Sequence, residues 1–261
     1  MVRRPAAIVL TVAGSDSGGG AGIQADLKTF HALGVFGTSA ITCLTAQNPR
    51  RVSGVQALPP GFVAEQIDRV FEAFPVGGAK TGMLYAAGIV EAVADGFARR
   101  KFRKLVVDPV MVASSGAVLL KKNAIVALEK NLFPLAAVVT PNLAEAEVLW
   151  RQSIRMPSNV REAARALADY YDVPFLVKGG HLSRSKYAVD VLFDGREFHE
   201  FRAGVVPNVR THGTGCTYSA AIAANLALGH DLVESILRAK RFITGAIRHA
   251  LKVGSHFALR I

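Results

Sequence analysis

Short apolar runs separated by amphipathic helical stretches recur from one end of this 261-residue chain to the other. The runs read as strands at 8–13, 35–44, 77–83, 104–108, 137–140 and 175–178. Helical periodicity fills 22–33, 61–73, 88–99, 123–132, 143–150, 159–171, 215–228 and 232–252. Strand and helix in alternation require crossover connections, which build a mostly parallel sheet with helices on both faces. One stretch breaks the pattern. At 187–203, YAVDVLFDGREFHEFRA alternates in polarity around a central Asp194-Gly195, the signature of a β-hairpin. The expected architecture is an α/β sandwich with an antiparallel hairpin near its C-terminal edge. No repeat, low-complexity tract or linker divides the chain, so residues 1–261 are read as one domain.

A composition of 51% hydrophobic and 20% charged residues is that of a globular chain able to bury a continuous core. No apolar run reaches the roughly 18 residues that suggest a membrane span. The opening, MVRRPAAIVLTVAGSDSGGG, resembles a secretory leader. Its apolar stretch is short and runs into a glycine loop and a polar helix, so it reads as a first strand. The two cysteines, Cys43 and Cys216, make no disulfide framework and no zinc spacing, which fits a reducing cytoplasm. The net charge of +11 raises a nucleic-acid partner. The basic residues (Arg99, Arg103, Arg165, Arg241 among them) are scattered, with no basic stripe interleaved with aromatics. Small anionic substrates, or simply a generally basic proteome, account for the charge better, and neither nucleic acid nor membrane is expected as a partner.

In open parallel sheets, ligands bind beyond the carboxyl ends of the strands. Here those ends carry Gly14-Ser15-Asp16, Thr45-Ala46-Gln47-Asn48, Lys80–Met83, Asp108-Pro109, Thr140-Pro141-Asn142 and Lys178-Gly179-Gly180-His181. Six polar strand ends on one rim point to a site.

The glycine cluster at 14–22 does not match GxGxxG, and the second strand lacks the terminal carboxylate of a dinucleotide site. FPVGGAKT is not a Walker A loop, because Ala79 stands where glycine is required. The first loop is either a flexible turn or backbone packed against a flat substrate, with Asp16 or Asp26 near it. THGTGC at 211–216 is more telling. Gly213 and Gly215 free the backbone to turn its N–H groups inward at the start of a helix, which makes an anion hole. Cys216 at that helix mouth is either a thiol with lowered pKa, usable as nucleophile or base, or a small space-filling residue. Cys43, within an apolar strand, reads as core. Asp108 ends a strand. Asn142 and Glu145, three apart, are either a helix cap or a pair facing the same groove. Carboxylates on the rim suit Mg²⁺ in phosphoryl transfer.

The ordered segments AGSDSGGGAGIQADLKTF, TAQN, KTGML, DPVMVASSG, TPNLAEAE, VKGGH, THGTGCTYSAAIAA and AKRFITGAI resemble the hydroxymethylpyrimidine/phosphomethylpyrimidine kinases of the ribokinase-like superfamily. The resemblance runs from about residue 8 to residue 247. It implies a ribokinase-like three-layer sandwich, ATP and Mg²⁺ as cofactors, and two successive phosphorylations of 4-amino-5-hydroxymethyl-2-methylpyrimidine. By motif position, Gly213, Gly215 and Cys216 are the catalytic anion hole, with Cys216 where sugar kinases carry an aspartate. Asp108 and Glu145 would organise the metal. Lys178, Lys240 and Thr211 would lie by the nucleotide. Gln47 and Asp26 would read the pyrimidine, with Gly14, Met83 and Val110 packed on the ring. A carboxamide offers one donor and one acceptor, which suits an aminopyrimidine edge. Ser114 departs from the lysine expected in many relatives. A homodimer is expected by the same resemblance. A pyridoxal or pyridoxine kinase of the same fold is the alternative.

Overall fold

The structure is a computed structural model describing residues 6–111, 119–180, 186–207, 209 and 211–261. In it the apolar run at the start of the chain becomes the strand that organises the sheet. The first half runs β1 (Ile8–Asp16), α1 (Gly22–Ala32), β2 (Phe36–Asn48), β3 (Arg51–Ala57), α2 (Pro60–Ala73), β4 (Gly78–Thr81), α3 (Ala87–Arg99) and β5 (Leu105–Val107). Then come α4 (Lys122–Ala127), a π turn (Leu128–Leu132), a 3-10 turn (Phe133–Leu135), β6 (Val138–Val139), α5 (Leu143–Trp150), α6 (Pro157–Tyr171) and β7 (Phe175–Lys178). The chain continues through β8 (Tyr187–Phe193), β9 (Phe198–Gly204), α7 (Thr214–Ala227), α8 (Leu232–Arg248), β10 (Leu251–Val253) and β11 (His256–Ala258).

The main sheet has the order β3-β2-β1-β4-β5-β6-β7-β8-β9. The six strands from β2 to β7 are parallel, and β3 and β8 join them antiparallel. Alternate strand residues feed two cores, as the period-two geometry of a strand demands. Val9, Val106, Val138 and Leu176 pack beneath α1, α7 and α8. Leu10, Val12, Leu105, Val107 and Val139 pack on the opposite side, against α2, α3 and α6. Helix α7 is built of alanine and other small residues and is buried from Thr217 to Leu226, as a helix enclosed on all sides should be. No helix of the described residues is long and apolar enough to cross a membrane.

The expected sandwich, its six parallel strands and the hairpin β8–β9 are present. Three local features differ from the sequence reading. The second strand continues to Asn48 and turns back into β3, so Gln47 is a strand residue and the sheet has an antiparallel edge at each end. Strand β3 is exposed or half-exposed throughout and carries Gly54, so it lacks the apolar run that marks central strands. Helix α8 stops at Arg248, and the residues after it form the small β10–β11 hairpin.

Strand β1 pairs with β2 on one side and β4 on the other, and the chain moves outward from it in both directions. That is the switch point where a crevice opens at the strand ends. Just inside it, Thr11 and Lys80 are register partners on β1 and β4, and both reach Asp26 of α1. Lys80 Nζ lies 2.9 and 3.0 Å from the two Asp26 oxygens, and Thr11 Oγ1 donates to Asp26 at 2.6 Å. All three side chains are fully buried. Removing one partner leaves a charge without compensation. Lys80→Met is therefore expected to cost about 3–5 kcal/mol of unfolding free energy. Lys80→Met with Asp26→Leu should recover much of it. Urea unfolding of both variants tests this, and a single-variant loss no larger than the double-variant loss would show that the pair does not act as a unit.

Candidate active site

Two glycine loops meet over the switch point. The first leaves β1 at Asp16, whose carboxylate gathers the loop around itself. Its oxygens accept from the backbone N–H groups of Gly18 at 2.8 Å, Gly20 at 3.1 Å and Ala21 at 2.9 Å. His212 of the second loop closes the ring, with Nε2 3.2 Å from Asp16 Oδ2. Burial by itself would raise the Asp16 carboxyl. The bonds from His212, Gly18 and Ala21 outweigh it and hold it below the ordinary value. The second loop passes so close to the first that a Cβ on Gly213 would sit 1.7 Å from the Gly20 carbonyl oxygen, and Gly213 has φ +84°. Only glycine fits there.

Gly213 is the N-cap of α7, and no side chain caps that helix. Its first-turn N–H groups and positive dipole end are therefore available to an anion. Thr211 Oγ1 bonds Thr214 Oγ1 at 2.8 Å and steadies the approach to this turn. Gly215 faces a pair of charged side chains: a Cβ there would lie 3.5 Å from Lys178 Nζ and 3.7 Å from Asp108 Oδ2. Lys178 Nζ bonds Asp108 Oδ1 at 3.0 Å, and Ser219 Oγ, one helical turn beyond Gly215, donates to Asp108 Oδ2 at 3.0 Å. Glu145 serves both of the roles open in the sequence. It completes a capping box with Asn142 and also accepts from the Met111 N–H at 3.2 Å. Its carboxyl is pushed up by burial; Lys178 opposes that and the nearby Asp108 adds to it. Asp108, Glu145 and Lys178 thus form one electrostatic group beside the α7 mouth.

An apolar patch adjoins them. Cys43, Met83 and Leu119 are buried together, with Val110, Tyr85, Val52 and Val55 packed around them. Gly14 lies against Cys43 and Met83, so close that a Cβ would stand 2.8 Å from Cys43 Sγ. Gln47 lies nearby on β2: its carboxamide is 2.9 Å from His212 Nε2 and 3.2 Å from Thr45 Oγ1. Cys43 is core, as expected.

The structure redistributes three of the expected residues. Asp26 has no surface for a ring to meet, because both of its oxygens are spent on Lys80 and Thr11 beneath the site. Lys240 is buried on α8, with Nζ 2.6 Å from Asp190 Oδ2, and ties that helix to β8. Both make buried ion pairs that a sequence cannot distinguish from ligand contacts. Cys216 does stand at the α7 mouth; of the two readings open in the sequence, its thiol moves opposite to the lowered-pKa one. Burial pushes it up to about 11; Lys80 pulls it down, while Asp26 and Asp108 push it further up. Gly22 N–H also donates to the sulfur, which joins the two loops again. Ser114 and His181 lie outside the described residues. Sequence reading placed Lys80 on the rim without its partner Asp26, and missed His212 and Ser219. Ser219 left a signal, standing four residues after Gly215 on one helix face.

The family model described as phosphomethylpyrimidine kinase matches residues 16–259. The chain belongs to the phosphomethylpyrimidine kinase family. A hydroxymethylpyrimidine/phosphomethylpyrimidine kinase of Synechococcus elongatus is 46% identical, covering 95% of this chain and 94% of that protein. The thiamine biosynthesis bifunctional protein of Geobacter sulfurreducens is 52% identical over 96% of this chain, which spans only 51% of that protein's length. Among solved structures, phosphomethylpyrimidine kinase from Clostridium difficile superposes with a TM-score of 0.81 at 40% identity, covering 92% of this chain and 99% of that one. An ADP complex of Bacillus subtilis pyridoxal kinase gives 0.89 at 34% identity, covering 98% and 97%.

For a phosphomethylpyrimidine kinase, the state of Cys216 bears directly on the chemistry. A thiol pushed up to about 11 keeps its proton at neutral pH. Alkylation of Cys216 by iodoacetamide, followed by peptide mass spectrometry, is expected to accelerate about tenfold per pH unit from pH 7 to pH 9. A rate that levels off by pH 8 would restore the low-pKa thiolate.

Proposed function

We propose that this chain transfers the γ-phosphoryl group of ATP, with Mg²⁺, to the hydroxymethyl arm of 4-amino-5-hydroxymethyl-2-methylpyrimidine, and then to the monophosphate so formed. The observation that carries the reading is the meeting of the uncapped α7 N-terminus with the Asp108–Lys178 pair at Gly215. An anion hole, a cation and buried carboxylates at one strand rim suit the handling of phosphate groups. The residues fit both cofactors. The bare first turn of α7 at Gly213–Cys216 suits phosphate oxygens. The hard carboxylate oxygens of Asp108 and Glu145, already committed to neighbours by one bond each side, suit Mg²⁺ held through water. When bound, Mg²⁺ supplies charge neutralisation on the phosphates.

The chain's own groups then divide the work. Lys178 and the α7 N–H groups stabilise negative charge on the transferring group. Asp108 orients Lys178, and Ser219 orients Asp108. Gln47 hydrogen-bonds the ring edge while Gly14, Met83 and Val110 hold its face. In a loose transition state the attacking alcohol keeps its proton until late, so positioning outweighs general base catalysis. Cys216, protonated at neutral pH, acts in this reading as a positioning group at the phosphate mouth rather than a standing base. A cytoplasmic setting belongs to the same reading, as does a homodimer covering Phe36, Leu44 and Phe62, which are exposed on or near β2.

A coupled ADP-release assay with Mg-ATP tests the reading. Turnover with hydroxymethylpyrimidine and its monophosphate, and little with pyridoxal, is expected. Turnover with pyridoxal alone would move the assignment to the alternative that the pyridoxal kinase likenesses keep open. Asp108→Ala is expected to lose at least about tenfold in kcat and to need more Mg²⁺ for half-maximal rate. An unchanged Mg²⁺ response in that variant would remove Asp108 from the metal.

A further inference from the structure

His212 touches both Asp16 in the first glycine loop and Gln47 on β2. Its ring is largely buried, with Nδ1 sealed from solvent and without a hydrogen-bond partner. These contacts decide where its proton sits. Asp16 Oδ2 is an acceptor, already bonded by the Gly20 and Ala21 N–H groups. A proton on His212 Nδ1 would bury a donor with no acceptor and turn the Nε2 lone pair toward a carboxylate. A proton on Nε2 satisfies Asp16 and leaves only an acceptor unpaired, which costs less than an orphaned donor. The ring therefore carries its hydrogen on Nε2.

That proton fixes the carboxamide of Gln47 in turn. The two ends of a carboxamide are nearly isosteric, so their identities follow from the network. A carboxamide nitrogen 2.9 Å from Nε2–H would set donor against donor. With the oxygen toward His212, each bond has a donor and an acceptor. The single Nε2–H of His212 is shared between Asp16 Oδ2, 3.2 Å away, and the Gln47 oxygen, at the carboxamide end 2.9 Å away. Gln47 donates to Thr45 Oγ1, 3.2 Å away, and Thr45 donates to the Ser15 carbonyl at 2.9 Å. The second N–H of Gln47 and the free lone pair of its oxygen remain for a ligand.

We propose that His212 is a positioning residue that sets the orientation of the Gln47 carboxamide, and through it the direction in which an aminopyrimidine edge docks. The inference rests on the functional reading above. Because ring nitrogen and exocyclic amine pair with opposite ends of the amide, reversing the amide reverses the ring and carries the hydroxymethyl arm away from the α7 mouth. The fixed orientation makes Gln47 selective for one pose of a heteroaromatic ring bearing an acceptor nitrogen beside a donor amine.

Steady-state kinetics on a cycle of His212→Ala, Gln47→Ala and the double variant tests it, alongside the ring tautomer measured from histidine ¹⁵N shifts in the parent protein. His212→Ala is expected to raise KM for hydroxymethylpyrimidine about tenfold, the equivalent of one good hydrogen bond, while KM for ATP moves less than about twofold. In the Gln47→Ala background the same substitution should change little, because its effect passes through the amide. His212→Gln, which keeps a donor in reach, should restore most of the loss. Additive effects in the cycle, or an equal rise in KM for ATP, would overturn the proposal. So would an Nδ1–H tautomer, which is read without substrate and without any variant having to fold. A parent protein inactive on aminopyrimidines but showing the Nε2–H tautomer would sink the functional reading and leave the network standing.

Discussion

The buried pair of Lys80 and Asp26 is the constraint on which the site is built. It joins β4 to α1 across β1, and every atom of both side chains is out of solvent. Burial alone would favour the neutral amine, but the Asp26 and Asp108 carboxylates hold Lys80 firmly charged. Burial pushes the Asp26 carboxyl up against the pull of Lys80 and Thr11. Such a pair contributes little net stability compared with apolar residues of the same size. What it supplies is a fixed positive charge under the α7 mouth and a fixed spacing between the two strands that flank the crevice. Lys80 acts on Cys216 from below, while Asp26 and Asp108 oppose it. The thiol's high pKa is the resultant of burial and of those charges.

Above this floor, precision comes from backbone against backbone. Gly213 meets the carbonyl of Gly20, and Gly22, at φ +57°, would put a Cβ 2.3 Å from the carbonyl of Gly14. The first glycine loop is thereby threaded between β1 and the second loop, and the Asp16 carboxylate stitches it shut. The two loops are distant in sequence, one leading from β1 into α1 and the other from β9 into α7. Their interlock fixes the turn at the start of α7, which under the proposed function presents its N–H groups to a phosphate without first having to reorganise.

The layered fold was legible because strand and helix periodicities survive in the sequence wherever an element is buried on at least one face. Strand β3 escaped notice because neither of its faces is buried. The same logic governs the site. Gly213, Gly215, Cys216, Asp108, Lys178 and Gln47 stand at strand or helix ends, where position alone marks them out. Asp26 and Lys240 stand inside helices, and only their partners, Lys80 and Asp190, show that their charges are already spent. His212 gave no signal because its meaning lies in Asp16 and Gln47, residues on two other elements. A sequence exposes a residue's chemistry readily and its partner poorly, and for buried charges the partner decides the role.

A cysteine at the α7 mouth is then consistent with its surroundings. An aspartate in place of Cys216 would add a third carboxylate near Asp26 and Asp108, with Lys80 already shared between them. Each added negative charge in a buried group raises the cost of keeping the others ionised and repels an incoming phosphate. A neutral thiol occupies nearly the same place without either penalty. Under the proposed function it adds no further negative charge beside Lys178 and the α7 terminus, at the spot where charge must be stabilised. In a reaction whose transition state demands little early deprotonation, that positive charge is worth more than a strong base. Under the proposed function, Cys216 is the residue that keeps the site's electrostatics available to the phosphate.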